Sequence, residues 1–231
     1  MSQTRTDAFR AESAALTTIV AGLTAADLER PSPCPPWTVA GLLGHVIVAT
    51  GRVGQAVEAA REPGAAGPLT DARGYYRPDH RFSPAVNADR IDVAAALAAR
   101  AGTAAALAAE LSAAGEQTLA LLASAPSQAE VRTRHGDRML LTDFAVTRVV
   151  ELGVHGLDLA LALDRPPWLT SPAAAVLEDL LLPDPAEAAR LPELLHCDRA
   201  GVIARLTGRA KVSPAEQSAL AGAGVTALAL G

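Results

Sequence analysis

Residues 142–163, TDFAVTRVVELGVHGLDLALAL, decide how the rest of the chain is read. Phe144, Val146, Val149, Val150, Val154, Leu157 and Leu161 recur at steps of three and four, the period of a buried helix face. Thr142 is placed to cap the helix, its hydroxyl accepting from a free amide of the first turn. Set into this apolar run are Arg148, Glu151, His155 and Asp158. Glu151 and His155 are one turn apart, so their side chains project the same way, about 6 Å from each other. A carboxylate and an imidazole on a buried helix face need a reason, because a buried charge must be paired or bound to a metal.

The flanking sequence supplies partners for that helix. A first helix is expected over 4–22, with Phe9, Leu16, Ile19 and Val20 on one stripe, followed by a short turn of helix started by Thr24 and Asp27. PSPCPPW (31–37) holds four prolines and is not helical. Thr38 then caps a helix to about 62, with Val39, Leu42, Leu43, Val46, Ile47, Val53 and Val57 as core positions and His45 two turns in. Residues 63–88 are rich in Gly, Pro and Arg and read as a long functional loop, a candidate lid. One long helix is expected over 89–125, bent near Gly102 or Gly115, and 126–141 reads as a connection with short extended structure. Four long helices with two longer crossings predict a mainly α protein, a four-helix bundle over 1–165. Residues 166–231 read as a short α or α/β appendage. Its elements are a helix from Ser171 stopped at PDP, helices begun by Asp198 and Ser213, and a single strand over 224–230.

Composition narrows the function classes. The 231 residues are 50% hydrophobic but only 3% aromatic, and the alanine-rich periodic segments suit closely packed helices. A net charge of −5 without a basic stripe argues against nucleic-acid binding. Cys34 and Cys197 match no CxxC spacing, which argues against a disulfide framework or a zinc knuckle. The polar, amphipathic N-terminus does not read as a signal peptide, and no apolar run reaches membrane-spanning length. The expectation is a cytoplasmic monomer or homodimer without membrane partners.

Glu151 and His155 offer two metal ligands from one helix, and His45 on another can complete a set of three. Such a set leaves coordination positions open, the pattern of a catalytic site. Asp158 can orient an imidazole, and Arg148 can pair with Glu151 or with an anionic substrate. The plainer reading is that Glu and His at this spacing bond only each other, and that His45 is a satisfied core residue. Cys34, between prolines, reads as a small packed residue whose thiol becomes reactive if a site lies near it.

Two segments carry a resemblance. PSPCPPWTVAGLLGHV (31–46) is similar to the P-x-P-C-P-x-W-x-V-x-x-L-x-x-H segment of the mycothiol-dependent maleylpyruvate isomerase family, in the DinB-like superfamily. RVVELGVHGLDLALAL (148–163) is similar to that family's R-x-x-E-x-x-x-H-x-x-D-L helix, at a similar separation. The resemblance covers roughly residues 5–165. It implies a DinB-like four-helix bundle holding a divalent metal, usually zinc, through His45, Glu151 and His155. Residues 198–230 resemble the end of members with a sterol-carrier-like C-terminal domain, here truncated.

The family implies an enzyme that uses mycothiol, the low-molecular-weight thiol of actinobacteria, against a small electrophilic substrate. A metal-bound thiolate would add to the electrophile, giving cis–trans isomerisation if the adduct collapses or S-transfer if it persists. Arg73, Arg77 and Arg81 of the long loop are candidates to grip carboxylates of substrate or thiol. The alternatives are a metal-binding bundle without thiol chemistry, as a hydrolase or a binding or regulatory module, and a degenerate structural member.

Overall fold

The computed structural model describes residues 3–62, 67–77, 84–126, 128–182, 184–225, 228 and 230. Four helices form the bundle: α1 (Gln3–Ala21), α3 (Val39–Arg61), α6 (Ala104–Ser124) and α7 (Leu141–Ala162). α1 and α3 each pack against both α6 and α7. The predicted apolar stripes face inward, with Phe9, Leu16, Leu42, Leu43, Leu107, Leu111, Leu152 and Leu157 buried in the core, except that Leu161, at the end of α7, is 52% exposed. A one-turn helix, α2 (Ala25–Leu28), follows α1 and is closed by the expected Thr24/Asp27 capping box. Thr38 caps α3 as expected, its side chain accepting from the Gly41 amide.

The predicted long helix is two. α5 (Pro84–Ala101) and α6 are separated at Gly102, whose φ of 69° is open to a residue without Cβ. Thr103 then caps α6. Gly115 lies inside the unbroken α6, where it gives room to Ser13 of α1. α5 packs on α3 at very close range. A Cβ on Gly44 would lie 2.2 Å from the Ala94 carbonyl oxygen, so the helices touch backbone to backbone at the residue before His45.

The long loop is partly structured. β1 (Leu69–Thr70) pairs in parallel with β3 (Arg138–Leu140), which pairs antiparallel with β2 (Glu130–Arg132), in the order β1-β3-β2. α4 (Ala72–Tyr75) follows β1 and packs on α7. The start of α7 differs from the expectation. β3 runs directly into it, the cap position is Leu140 with no side-chain cap bond, and Thr142 already lies in the first turn. The Leu141 amide is taken by the Ala129 carbonyl, and Asp143 in the first turn pairs with Arg5 at 2.8 Å.

Beyond α7 the chain is helical, with α8 (Ser171–Leu181), α9 (Pro185–Leu194), α10 (Arg199–Leu206) and α11 (Pro214–Gly222). The reading of PDP as a simple break missed α9, which Asp184 caps and Pro185 starts. Of the expected strand over 224–230, the described residues Gly224, Val225, Leu228 and Leu230 are outside any strand, and the Leu230 carbonyl accepts from Arg209. α8 packs on α1 and α7, and its Leu177 and Leu180 share one apolar cluster with Val202 and Ile203 of α10 and with the bundle core.

Glu12 ties α1 to this region. Its Oε2 accepts from both the amide and the hydroxyl of Thr170, the N-cap of α8, while Oε1 is buried without a partner among the described residues. Burial raises the Glu12 carboxyl above its ordinary range, against the pull of the Thr170 bonds. A raised folded-state value stabilises the fold fully below the ordinary glutamate value of about 4.3, and that contribution is lost as pH rises through the folded value. Glu12→Gln is therefore expected to gain stability over the parent as pH rises from 4 to 7, read by urea unfolding at each pH. At the α3–α5 contact, Gly44→Ala is expected to destabilise the fold by about 1–3 kcal/mol through overpacking, measured the same way.

Candidate metal centre

His45 faces α7 from α3, and Glu151 and His155 face it in return. His45 Nε2 is 3.2 Å from Glu151 Oε2, and His155 Nε2 is 3.5 Å from the same oxygen. The ligand atoms of the three lie within 4.8 Å of one another. The structure thus brings together the three residues on which the sequence reading converged.

Each side chain is held by a neighbour. His155 Nδ1 is 2.8 Å from Asp158 Oδ2, one turn further along α7. Trp37, from the proline-rich turn, stacks on His45 with ring centroids 4.8 Å apart and planes 15° from parallel. His45 Nδ1 is buried without a partner among the described residues, so stacking and the Glu151 contact orient the ring. The Tyr76 hydroxyl donates to the Thr147 carbonyl at 3.0 Å and lies 3.4 Å from Glu151 Oε1.

The charges follow from these contacts. Burial pushes the His45 imidazole down to about 4, so it is neutral at pH 7 and able to act as a ligand. Burial opposes ionisation of Glu151, but hydrogen bonds with His155 and His45 hold its carboxyl well below the usual range. Asp158 falls to about 2 because bonds from His155 and Arg209 outweigh burial. His155 is raised well above the imidazole range, since bonds to Asp158, Cys34 and Glu151 overcome burial. A proton and a metal therefore compete for His155 Nε2, while its Nδ1–H stays on Asp158.

A second group of possible donors, Cys34, His155 and Asp158, shares His155. Its carboxylate is already neutralised: Arg209 Nε lies 2.9 Å from Asp158 Oδ1 and Nη2 3.3 Å from Oδ2. Among the described residues no guanidinium bonds to Glu151. This carboxylate, with no bonded guanidinium among the described residues and with two converging imidazoles, is the set that fits a divalent cation of the zinc type.

This set borders a cavity of about 790 Å³, lined by apolar Pro33, Ile91, Val150, Val154 and Leu161 and by the polar Cys34, Trp37, Tyr76, Arg90 and Arg209. The Cys34 thiol donates to Asp158 Oδ2 at 3.4 Å, so this cysteine faces the site and is more than a packed residue. Arg148 is not part of the lining. It is 1% exposed, with Nη1 donating to the Ala49 carbonyl of α3 at 2.6 Å and its guanidinium 4.5 Å above the Phe144 ring. It joins two bundle helices and is out of reach of a substrate in the cavity.

The loop arginines also lie elsewhere. Arg73 donates to the Leu180 carbonyl at 3.1 Å and to that of Asp179, closing the end of α8. Arg77 is exposed and does not line the cavity, and Arg81 lies outside the described residues. Of the expected lid over 63–88, the described residues 67–77 are packed on the bundle, with Tyr75 and Tyr76 buried, and 84–88 belong to helix α5 instead of a loop. The cavity cations that sequence reasoning missed are Arg90 of α5 and Arg209, just beyond α10. Nothing marks either among the chain's arginines, because packing and the path of the tail bring them in.

Fold and site together define the class: a DinB-like helical bundle with a His/Glu/His set in its core. The sequence model of the Mycothiol maleylpyruvate isomerase N-terminal domain matches residues 9–160, and the chain belongs to that family. Among solved structures it is similar to a mycothiol-dependent maleylpyruvate isomerase, with 14% identity, a TM-score of 0.54, and 89% of this chain and 88% of that chain covered. A histidine-to-alanine mutant of a mycothiol-dependent maleylpyruvate isomerase gives a TM-score of 0.53 over the same shares. Comparison with curated proteins finds no match.

The purified protein is expected to carry about one divalent metal per chain, as one open three-ligand site requires. Elemental analysis of His155→Ala should show that occupancy largely lost.

Proposed function

We propose that the protein is a mycothiol-dependent isomerase or S-transferase of small electrophilic substrates, working in the cytoplasm with a divalent metal, zinc first, at His45, Glu151 and His155. The observation that carries this reading is the ionised Glu151 carboxylate set between two imidazoles on the wall of a largely apolar cavity. Family membership supports it. A metal held there supplies Lewis acidity that lowers the pKa of a coordinated thiol, making a nucleophile at neutral pH.

The chain's own residues do the positioning. Asp158 fixes His155 through Nδ1, leaving Nε2 for the site. The Trp37 stack limits rotation of His45, and Tyr76 restrains the second oxygen of Glu151. Ile91, Val150, Val154 and Leu161 keep water away from a reacting thiol and favour an apolar substrate body. Addition of the thiol to an unsaturated carbon, then rotation and expulsion, gives cis–trans isomerisation; a retained adduct gives S-transfer. In this reading residues 1–165 form the metal-binding unit and 166–231 a lobe that supplies Arg209 to Asp158.

Cobalt substitution tests the reading, because cobalt–thiolate charge-transfer bands appear only when sulfur coordinates. Bands are expected to grow with added mycothiol in both the parent and a Cys34→Ser background. If no band appears at any thiol concentration, a metal-dependent hydrolase or binding module is preferred.

A further inference from the structure

We infer that Arg90, together with the indole N–H of Trp37, forms a carboxylate-binding subsite beside the metal centre, and that its ligand is a small monocarboxylic acid with an apolar body. This rests on the proposed enzymatic reading and names the substrate class of the same site.

Arg90 reaches the cavity from α5, its Cζ 5.5 Å from the centre of the Trp37 ring. Its Nε is buried and, among the described residues, has no hydrogen-bond partner. Trp37 is 7% exposed, and its Nε1 is likewise buried and unbonded. Two buried donors without acceptors, on adjoining residues of one cavity wall, leave desolvation uncompensated until an acceptor arrives. Burial lowers the Arg90 pKa, while the negative charge of Glu151 works to raise it. Trp37 is stacked on His45, so a group held at Arg90 and Trp37 is delivered next to the metal set.

The ligand class follows from what surrounds the guanidinium. Its planar fork matches a carboxylate in two parallel bonds. The other arginine of the lining, Arg209, is spent on Asp158 and on the carbonyls of Thr207 and Leu230. Arg90 makes no ion pair among the described residues, and one such cation calls for one negative charge. The adjoining walls, Ile91, Val150, Val154 and Leu161, accept a hydrocarbon body rather than a second carboxylate.

Calorimetric titration of the full chain with trans-cinnamate, cinnamamide and fumarate, in zinc-loaded and metal-stripped forms, tests the assignment. Cinnamate should bind both forms and bind more tightly than its neutral amide or the dianion. Arg90→Gln should weaken cinnamate about ten- to a hundredfold, the loss of a charge-assisted pair, and leave the amide unchanged. Retained amide binding also shows that the variant is folded. Arg90→Lys should restore part of the affinity, and Trp37→Phe, which keeps an aromatic ring against His45, should weaken cinnamate less than Arg90→Gln does. Equal binding of acid and amide, an unchanged Arg90→Gln, absence of cinnamate binding, or binding lost with the metal would each overturn the inference. Tighter binding of fumarate would overturn the monoanion assignment. No thiol is present in these titrations, so their outcome is independent of the cobalt experiment.

Discussion

An ionised carboxylate inside an apolar bundle is the constraint on which the rest depends. Glu151 is kept charged by His45 and His155, so α3 must meet α7 at a fixed register. That register is maintained away from the site. The buried Arg148 guanidinium donates to the Ala49 carbonyl of α3, which couples the same two helices about one turn from Glu151 and from His45. Close contact of Gly44 with Ala94 then sets α5 against the back of α3, and α5 brings Arg90 to the cavity. Packing and electrostatics specify one arrangement, and a shift of one helix would leave charges buried without partners.

Much of the fold is legible in the periodic apolar residues, because the bundle helices are long and their caps are local. Thr38 and Thr24 cap as read, since a hydroxyl beside a helix start needs only its own neighbours. Thr142 does not, because the preceding strand pairing fixes where the α7 backbone turns helical. The long apparent helix splits at Gly102, where alanine-rich sequence on both sides hides the break. His45, Glu151, His155 and Asp158 were visible because ionisable residues on apolar helix faces contradict their surroundings. Arg90, Arg209 and Tyr76 were not, because an arginine or tyrosine in an irregular or exposed-looking segment conflicts with nothing local. Arg73 shows the converse: a loop cation that looked free for substrate is occupied by the carbonyls at the end of α8.

The solved structures similar to this chain share 14% identity over 89% of its length. At that distance a common fold rests on burial pattern and register more than on residue identity, as many sequences can fill one bundle. The ionisable positions are less exchangeable. Replacing one leaves its partners buried and uncompensated, whereas replacing a leucine by another aliphatic costs far less.

The bond from Arg209 to Asp158 bears on how this protein can be handled as a module. A fragment ending near residue 165 would retain every metal-ligand candidate yet strip the counter-ion from a carboxylate that is 2% exposed. It would also uncover the faces of α1 and α7 on which α8 rests. For crystallisation, domain grafting or directed evolution, bundle and tail should be carried together, and libraries that recombine tails from relatives should keep a guanidinium at 209 wherever they keep the acid at 158.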